Sequence, residues 1–399
     1  MKPFSLKLLL VLLASLTVHA AEPSHDRFSA VTQVMERFVS ENVIAGGVTM
    51  IATSDKILHT SVTGYADLKT RQKMEKDSLM WIASMTKPIV AVAVLMLQDE
   101  GKLSVEDPVE KHLPEFKEMR LLADASNERQ VTVPAPRKIT IRDLLTHTSA
   151  VNELKAGPGR HNATLAELVM GYSQRPLRYP PGEKWEYNNP GINILGRIVE
   201  VVSGQKFEDF MDQRIFKPLG MKDTTFWPGK QQVKRVAKSY KVAQEGKGLE
   251  ETPVFLVSGD LSDRTRTPFP AGGLYSTAGD IVKFYQMMLN RGEFKGKQLL
   301  SQKAVEEMTR TQTGDLKTGF TNGMSWGFGF QVVKNPIGVT EMLSPGTFGH
   351  GGAYATQSWA DPKKGIIYVM MIQRAGFPNG DDSIVRKEFQ KAAAAALSK

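Results

Sequence analysis

The stretch WIASMTKPIVAVAVLMLQDEG, residues Trp81–Gly101, places a lysine at the mouth of an apolar helix. Lys87 falls in the first turn, where the positive end of the macrodipole disfavours an ammonium. Behind it, Ile89 to Leu97 is apolar nearly all round, the pattern of a helix buried on every face. Ser84 and Lys87 stand three residues apart, so their side chains share one face. Desolvation and the dipole both lower a lysine pKa, and a neutral amine beside a hydroxyl can turn that oxygen into a nucleophile. The plain alternative is a serine N-cap followed by a lysine reaching out to water. S-x-x-K alone does not choose between the two. The helix should run to Glu100 and stop at Gly101, a residue suited to the position just past a helix end.

At the chain start, MKPFSLKLLLVLLASLTVHAAEP combines basic Lys2 and Lys7, an apolar core from Leu8 to Val18, and small residues near Ala20. That layout predicts a secretory signal peptide over residues 1–20, cut between Ala20 and Ala21, and a periplasmic or secreted protein. The apolar core is short for a membrane anchor, so no stable span is expected after cleavage. There is no cysteine in the 399 residues, which excludes disulfides and thiol catalysis. Net charge is +9, and the densest basic run is GKQQVKRVAKSYK, with Lys230, Lys234, Arg235, Lys238 and Lys241. Such a run serves either a solvated face or an anionic surface, and no nucleic-acid module accompanies it.

Periodicity gives the organisation. DRFSAVTQVMERFVSENV has helical spacing at Phe28, Val31, Val34, Met35 and Phe38, and GGVTMIATSDKILHTSVTGYAD reads as two strands around Ser54-Asp55. TIRDLLTH, TLAELVMGYSQ, GINILGRIVEVVSG, FEDFMDQRIF and TAGDIVKFYQMMLNRG make the middle largely helical. From Trp326 the period changes to two: WGFGFQVV alternates, GIIYVMMIQ is a buried strand run, and DSIVRKEFQKAAAAALSK closes as a helix. The expected fold is α+β, an antiparallel sheet built from both chain ends and flanked by helices. Residues 21–83 and about 275–399 would form the α/β part, and about 84–274 an inserted, mainly helical part. KEMRLLADASNERQVTVPAPRKIT, punctuated by Pro134 and Pro136, reads as a long loop.

Two further stretches bear on the serine. PPGEKWEYNNPGINILG sets Tyr187, Asn188 and Asn189 in a turn before a helix, where loops hold catalytic side chains on a rigid scaffold. GTFGHGGAYATQSW sets His350, Gly351 and Gly352 at a strand entry. Paired glycines let a substrate approach the backbone, and the next N–H, of Ala353, can serve as an oxyanion donor.

Ser-x-x-Lys, Tyr-x-Asn and a His-Gly-Gly strand, in this order, resemble the serine β-lactamase and penicillin-binding protein superfamily. The Tyr-x-Asn form is similar to class C β-lactamases, D-alanyl-D-alanine peptidases, D-aminopeptidases and family VIII carboxylesterases. LSVEDPVEKHLPEF, TIRDLLTHTSA, FKPLGMKDTTF and PAGGLYSTAGDIVKF extend the resemblance over nearly all of the mature chain. It implies an acyl-enzyme on Ser84, proton transfer by Lys87 and Tyr187, and no cofactor. Asn189 would then orient Lys87 and the acyl chain, and His350 would position Tyr187 or the substrate. The substrate would be a small ester, amide or β-lactam. One departure matters: class C enzymes have Lys-Thr-Gly where this chain has His350-Gly351-Gly352, so an anionic β-lactam loses two contacts. Similar changes occur in the esterases and D-aminopeptidases, and Met85-Thr86 also looks like the esterase branch. The expected activity is therefore carboxylesterase, with D-peptidase action and a silent cell-wall binding module as the competing readings. Trp326, Phe328 and Tyr354 either line the acyl pocket or pack as ordinary strand residues.

GMSWG, Gly323–Gly327, matches the G-x-S-x-G nucleophile elbow. That elbow needs a strand before the serine and a helix after it, whereas Ser325 precedes an alternating strand pattern and lacks an aspartate before His350; only Glu341 lies between. The elbow is read as coincidental. His147 should pack near the site, while His25, His59, His112 and His161 read as surface or capping residues. No zinc-ligand spacing occurs. NAT at Asn162 is a sequon only in a eukaryotic secretory pathway.

Overall fold

The computed structural model describes residues 27–123, 131–154, 160–244, 246–256 and 259–398. The expected signal peptide and His25 lie outside them. An eight-stranded sheet organises the molecule, its strands numbered here along the chain: β1 Gly46–Ala52, β2 Ile57–Asp67, β3 Gln72–Lys73, β4 Met324–Trp326, β5 Gln331–Val333, β6 Phe348–Gly351, β7 Gln357–Asp361 and β8 Ile366–Ile372. In space they run β4-β5-β6-β7-β8-β1-β2-β3, every pair antiparallel. Residues from both sides of the long middle segment thus meet where β8 pairs with β1, Gly47 opposite Ile372 and Met50 opposite Val369.

Two apolar layers cover this sheet. Ile367, Val369 and Met371 of β8 face one core, and Ile366, Tyr368, Met370 and Ile372 face the other, as period two demands. The second core is closed by helix α1, Ser29–Ser40, and by the helix Ile384–Leu397. α1 presents Val31, Met35 and Phe38 from one stripe, and Phe389 and Ala393 of the last helix lie in the same cluster. In the first core lies helix α2, Thr86–Asp99, whose residues from Thr86 to Leu97 are all buried. It ends where Gly101 takes a left-handed φ of 70°. The helices Asn189–Ser203 and Ala278–Leu289 add to that core. Among the described residues no helix is long and apolar enough to cross a membrane.

Two expectations need correction. WGFGFQVV is not one strand: β4 ends at Trp326 and β5 begins at Gln331. A Cβ on Gly327 would stand 2.0 Å from the Met308 carbonyl, and one on Gly329 2.7 Å from Ala91 on α2. The glycines let the chain bend tightly against α2 and bury Phe328 and Phe330, so the alternation marks a packed turn. The polar segment before Ile141 contains an antiparallel pair, Arg120–Leu122 with Thr132–Pro134, and residues 124–130 lie outside the description. In the basic run, Arg235 pairs with Asp77 and Asp223, Lys238 with Glu251, and Lys241 with Glu250. Those ion pairs belong to a solvated face.

Candidate active site

Ser84 sits in a single 3₁₀ turn, Ala83–Met85, that feeds α2. Ala83 has φ of 46°, so a strained left-handed residue stands immediately before the hydroxyl. Ser84 caps nothing, because the cap position belongs to Met85 and carries no side-chain bond. Lys87 is 0 % exposed; its Nζ lies 3.0 Å from Ser84 Oγ and donates to the Ala271 carbonyl at 2.6 Å. Burial holds this amine well below the ordinary lysine range, with Glu153 pulling the other way. Asn193 supports the arrangement by accepting the Ala271 N–H at 3.0 Å and donating to Tyr172 Oη at 3.0 Å.

Tyr187 closes the cluster. Its ring lies 4.7 Å from Lys87 Nζ, and its hydroxyl is buried although the ring is partly exposed. Desolvation raises the phenol strongly, and Ser84 is near enough to offset part of that rise, yet Tyr187 Oη completes no hydrogen bond of ordinary geometry. The phenol therefore keeps its proton and faces the serine as a donor.

His350, on β6, is also buried, with Nδ1 2.6 Å from the Gly351 carbonyl. That contact puts the proton on Nδ1 and leaves Nε2 as an acceptor. Burial, the largest cause, pushes its pKa down to about 4, against an opposing pull from Asp381. A histidine depressed from 6.5 to about 4 supplies stability that is complete above pH 6.5 and is lost as pH falls through 4. Urea midpoints at pH 7.5 and 4.5 should therefore differ less in His350→Gln than in the parent; an equal difference would contradict the assignment.

The two glycines after His350 have a packing reason. A Cβ on Gly351 would lie 1.8 Å from Asp381 Oδ1, and one on Gly352 2.6 Å from the Ile82 carbonyl. Strand β6 thus lies directly against the backbone that leads into Ser84. Gly351 and Gly352 are buried, and the next residue, Ala353, is exposed at the cavity wall. Among the described residues no protein acceptor takes its N–H.

The cavity in front of Ser84 has a volume of about 450 Å³. Trp81, Leu154, Phe255, Leu256 and Phe269 give it apolar walls, and Ser84, Asn189, Asn193, Glu153, His161 and Ala353 its polar points. His161, read as a surface residue, thus faces this space. Asn189 lines the cavity, but the partners of Lys87 Nζ among the described residues are Ser84 and Ala271. Asn193 bonds the N–H of Ala271, the residue whose carbonyl accepts from Lys87 Nζ. A signal for it was present, since Asn193 is a lone amide between Ile192 and Ile194 on a buried helix. Trp326 and Phe328 are fully buried and off the cavity wall, and Tyr354 packs its ring 5.0 Å from Trp81 while donating to the Pro253 carbonyl at 2.6 Å. The rival Ser325 lies within β4, its Oγ bonded to Thr311 and, at 3.4 Å, to Thr313. It sits inside a strand, and among the described residues no histidine bonds its hydroxyl. Among the described residues no group of three His, Cys, Asp or Glu side chains could hold a metal ion.

With this geometry in view, the sequence match is decisive: a family model described as Beta-lactamase covers residues 31–392. The chain belongs to the beta-lactamase family. Protein Rv1367c of Mycobacterium tuberculosis is 31 % identical over 83 % of this chain and 86 % of its own length. Esterase EstB of Burkholderia gladioli is 28 % identical over 86 % and 89 % of the two chains. A putative D-alanyl-D-alanine carboxypeptidase of Escherichia coli is 28 % identical over 87 % and 83 %. Among solved structures, EstCE1, described as a hydrolase with promiscuous acyltransferase activity, superposes with a TM-score of 0.75 at 21 % identity, over 93 % of this chain and 98 % of that one. At that identity the match speaks for the beta-lactamase-family fold alone.

Proposed function

We propose that the protein is an esterase that passes through an acyl-enzyme on Ser84. Lys87, held neutral by burial, takes the proton from Ser84 Oγ as it attacks the ester carbonyl. The Ser84 and Ala353 N–H groups receive the developing oxyanion, each worth roughly 3 to 4 kcal/mol. Tyr187, a phenol whose burial keeps it protonated, gives a proton to the departing alkoxide and draws on Lys87 to replace it. Water enters once the alcohol leaves, and the same groups run the steps in reverse to release the acid.

The observation that carries the ester preference is the cavity wall. Its large side chains are the apolar Trp81, Leu154, Phe255, Leu256 and Phe269, and among the described residues no lysine or arginine lines it. The His350 ring is neutral at pH 7 and lies behind the wall. A β-lactam carboxylate or the terminal carboxylate of a D-Ala-D-Ala peptide would have to give up water against those apolar walls. A neutral ester with an apolar acyl group avoids that desolvation. The names of EstB and of the Escherichia coli carboxypeptidase admit either substrate class, so the comparison has to be made on this chain. We also retain residues 1–20 as a signal peptide and an extracytoplasmic site of action. Parallel assays with p-nitrophenyl butyrate, a chromogenic cephalosporin and a D-Ala-D-Ala peptide should give kcat/KM for the ester at least about 10²-fold above the others. Peptide turnover exceeding ester turnover would overturn the proposal.

A further inference from the structure

Tyr187 lies in an irregular segment, yet its hydroxyl must hold a fixed place against Ser84. We propose that His147 is a positioning residue that fixes Tyr187 for protonation of the leaving group; the inference rests on the Tyr187 role proposed above. The residues on both sides of Tyr187 are tied to this one histidine. The Glu186 N–H donates to the His147 carbonyl at 3.0 Å, and the Asn188 N–H donates to His147 Nδ1 at 3.1 Å. The imidazole also lies against the phenol itself, ring centroids 4.6 Å apart and tilted by 42°. Trp326 backs the imidazole at 4.9 Å, so the ring has no room to swing away.

The backbone is arranged for this double grip. His147 has φ of 60°, a left-handed conformation that costs a non-glycine residue about 1 to 2 kcal/mol. The helix Ile141–Leu145 has just ended, and the left-handed residue turns its carbonyl and its ring toward the same neighbouring segment. That segment is docked all along the turn: the Gly182 N–H donates to the Thr148 carbonyl at 2.8 Å, and Asn188 Nδ2 donates to the Val151 carbonyl at 2.7 Å. Accepting the Asn188 N–H requires an unprotonated Nδ1, which fixes the tautomer with its proton on Nε2. His147 is fully buried and absent from the cavity wall, so it acts on the reaction only through Tyr187.

The test compares two esters of one acid, ethyl and p-nitrophenyl, on the same enzyme preparation. Ethoxide needs a proton to depart and p-nitrophenolate does not, so the ratio of their kcat/KM values reads leaving-group protonation. The folded fraction cancels in that ratio, and a destabilised variant still reports. Tyr187→Phe should lower the ethyl to p-nitrophenyl ratio about 10²-fold. His147→Gly, which keeps the left-handed backbone, and His147→Leu, which keeps the bulk, should each lower it about tenfold. His147→Asn tolerates positive φ and offers a side-chain carbonyl to the Asn188 N–H, so it should return the ratio to within about threefold of the parent. If the His147 variants slow both esters equally while Tyr187→Phe shifts the ratio, His147 is structural only and the inference falls. If Tyr187→Phe itself leaves the ratio unchanged, the proposed role of Tyr187 falls and takes this inference with it.

Discussion

Ser84→Ala is expected to lower kcat/KM for p-nitrophenyl butyrate by at least about 10⁴-fold. Its oxygen is the one hydroxyl among the described residues that bonds the buried Lys87 amine, and it opens onto the cavity. Removing it leaves the apolar walls and the Ala353 N–H in place, so binding and some stabilisation of a water-attacked intermediate persist. Thermal stability should barely move, because the lost group is a partly exposed hydroxyl. Ser325→Ala gives the opposite profile. It loses bonds to Thr311 and Thr313 inside β4, costs about 1 kcal/mol of stability, and leaves turnover within about threefold of the parent. A reversed outcome would make Ser325 the nucleophile and remove the functional account.

Lys87→Met carries the second large effect, a fall in kcat/KM of about 10³-fold with KM changed little. The thioether fills the volume of the lysine stem but cannot take the Ser84 proton. Its effect on stability has a sign fixed by the pKa direction. The folded-state amine is depressed, so below the ordinary lysine pKa the unfolded chain binds a proton that the folded chain resists. Parent stability therefore declines as pH falls from the alkaline range toward the depressed value, and Lys87→Met lacks that decline. The variant leaves the Ala271 carbonyl without its donor, a cost of about 1 to 3 kcal/mol that does not depend on pH. Relative to the parent, Lys87→Met should thus be more stable at pH 6 than at pH 9, as read from denaturant midpoints. A pH-independent difference would mean an amine that is protonated in the fold and therefore no base.

The Ser84–Lys87 pair was legible because it is local. An i, i+3 spacing at the start of an all-apolar helix constrains two side chains before any tertiary contact is known. The sheet was legible for a related reason, since GIIYVMMIQ is a short apolar run of strand length, rich in β-branched and aromatic residues. What escaped was set by distant segments meeting. Trp81, Phe255 and Phe269 form one cavity wall, although nothing in VFLVSGD or TPFPAGG marks a pocket. Gly351 and Gly352 were read as room for substrate, whereas Asp381 and the Ile82 carbonyl occupy the space a side chain would need. WGFGFQVV misled through its alternation, because two glycines in a tight bend have the same period as a strand. His147 was seen only as a neighbour, since its double hold on the Tyr187 segment spans some forty residues of chain and needs a left-handed backbone that sequence does not display.

The proposed reaction requires that a buried, neutral amine make Ser84 the nucleophile. Fluorophosphonate labelling followed by peptide mapping addresses it directly, in the parent and in Lys87→Met. A single adduct is expected, on the peptide that contains Ser84, formed much more slowly once Lys87 is replaced. An adduct on Ser325, or labelling of Ser84 at an undiminished rate in Lys87→Met, would contradict it.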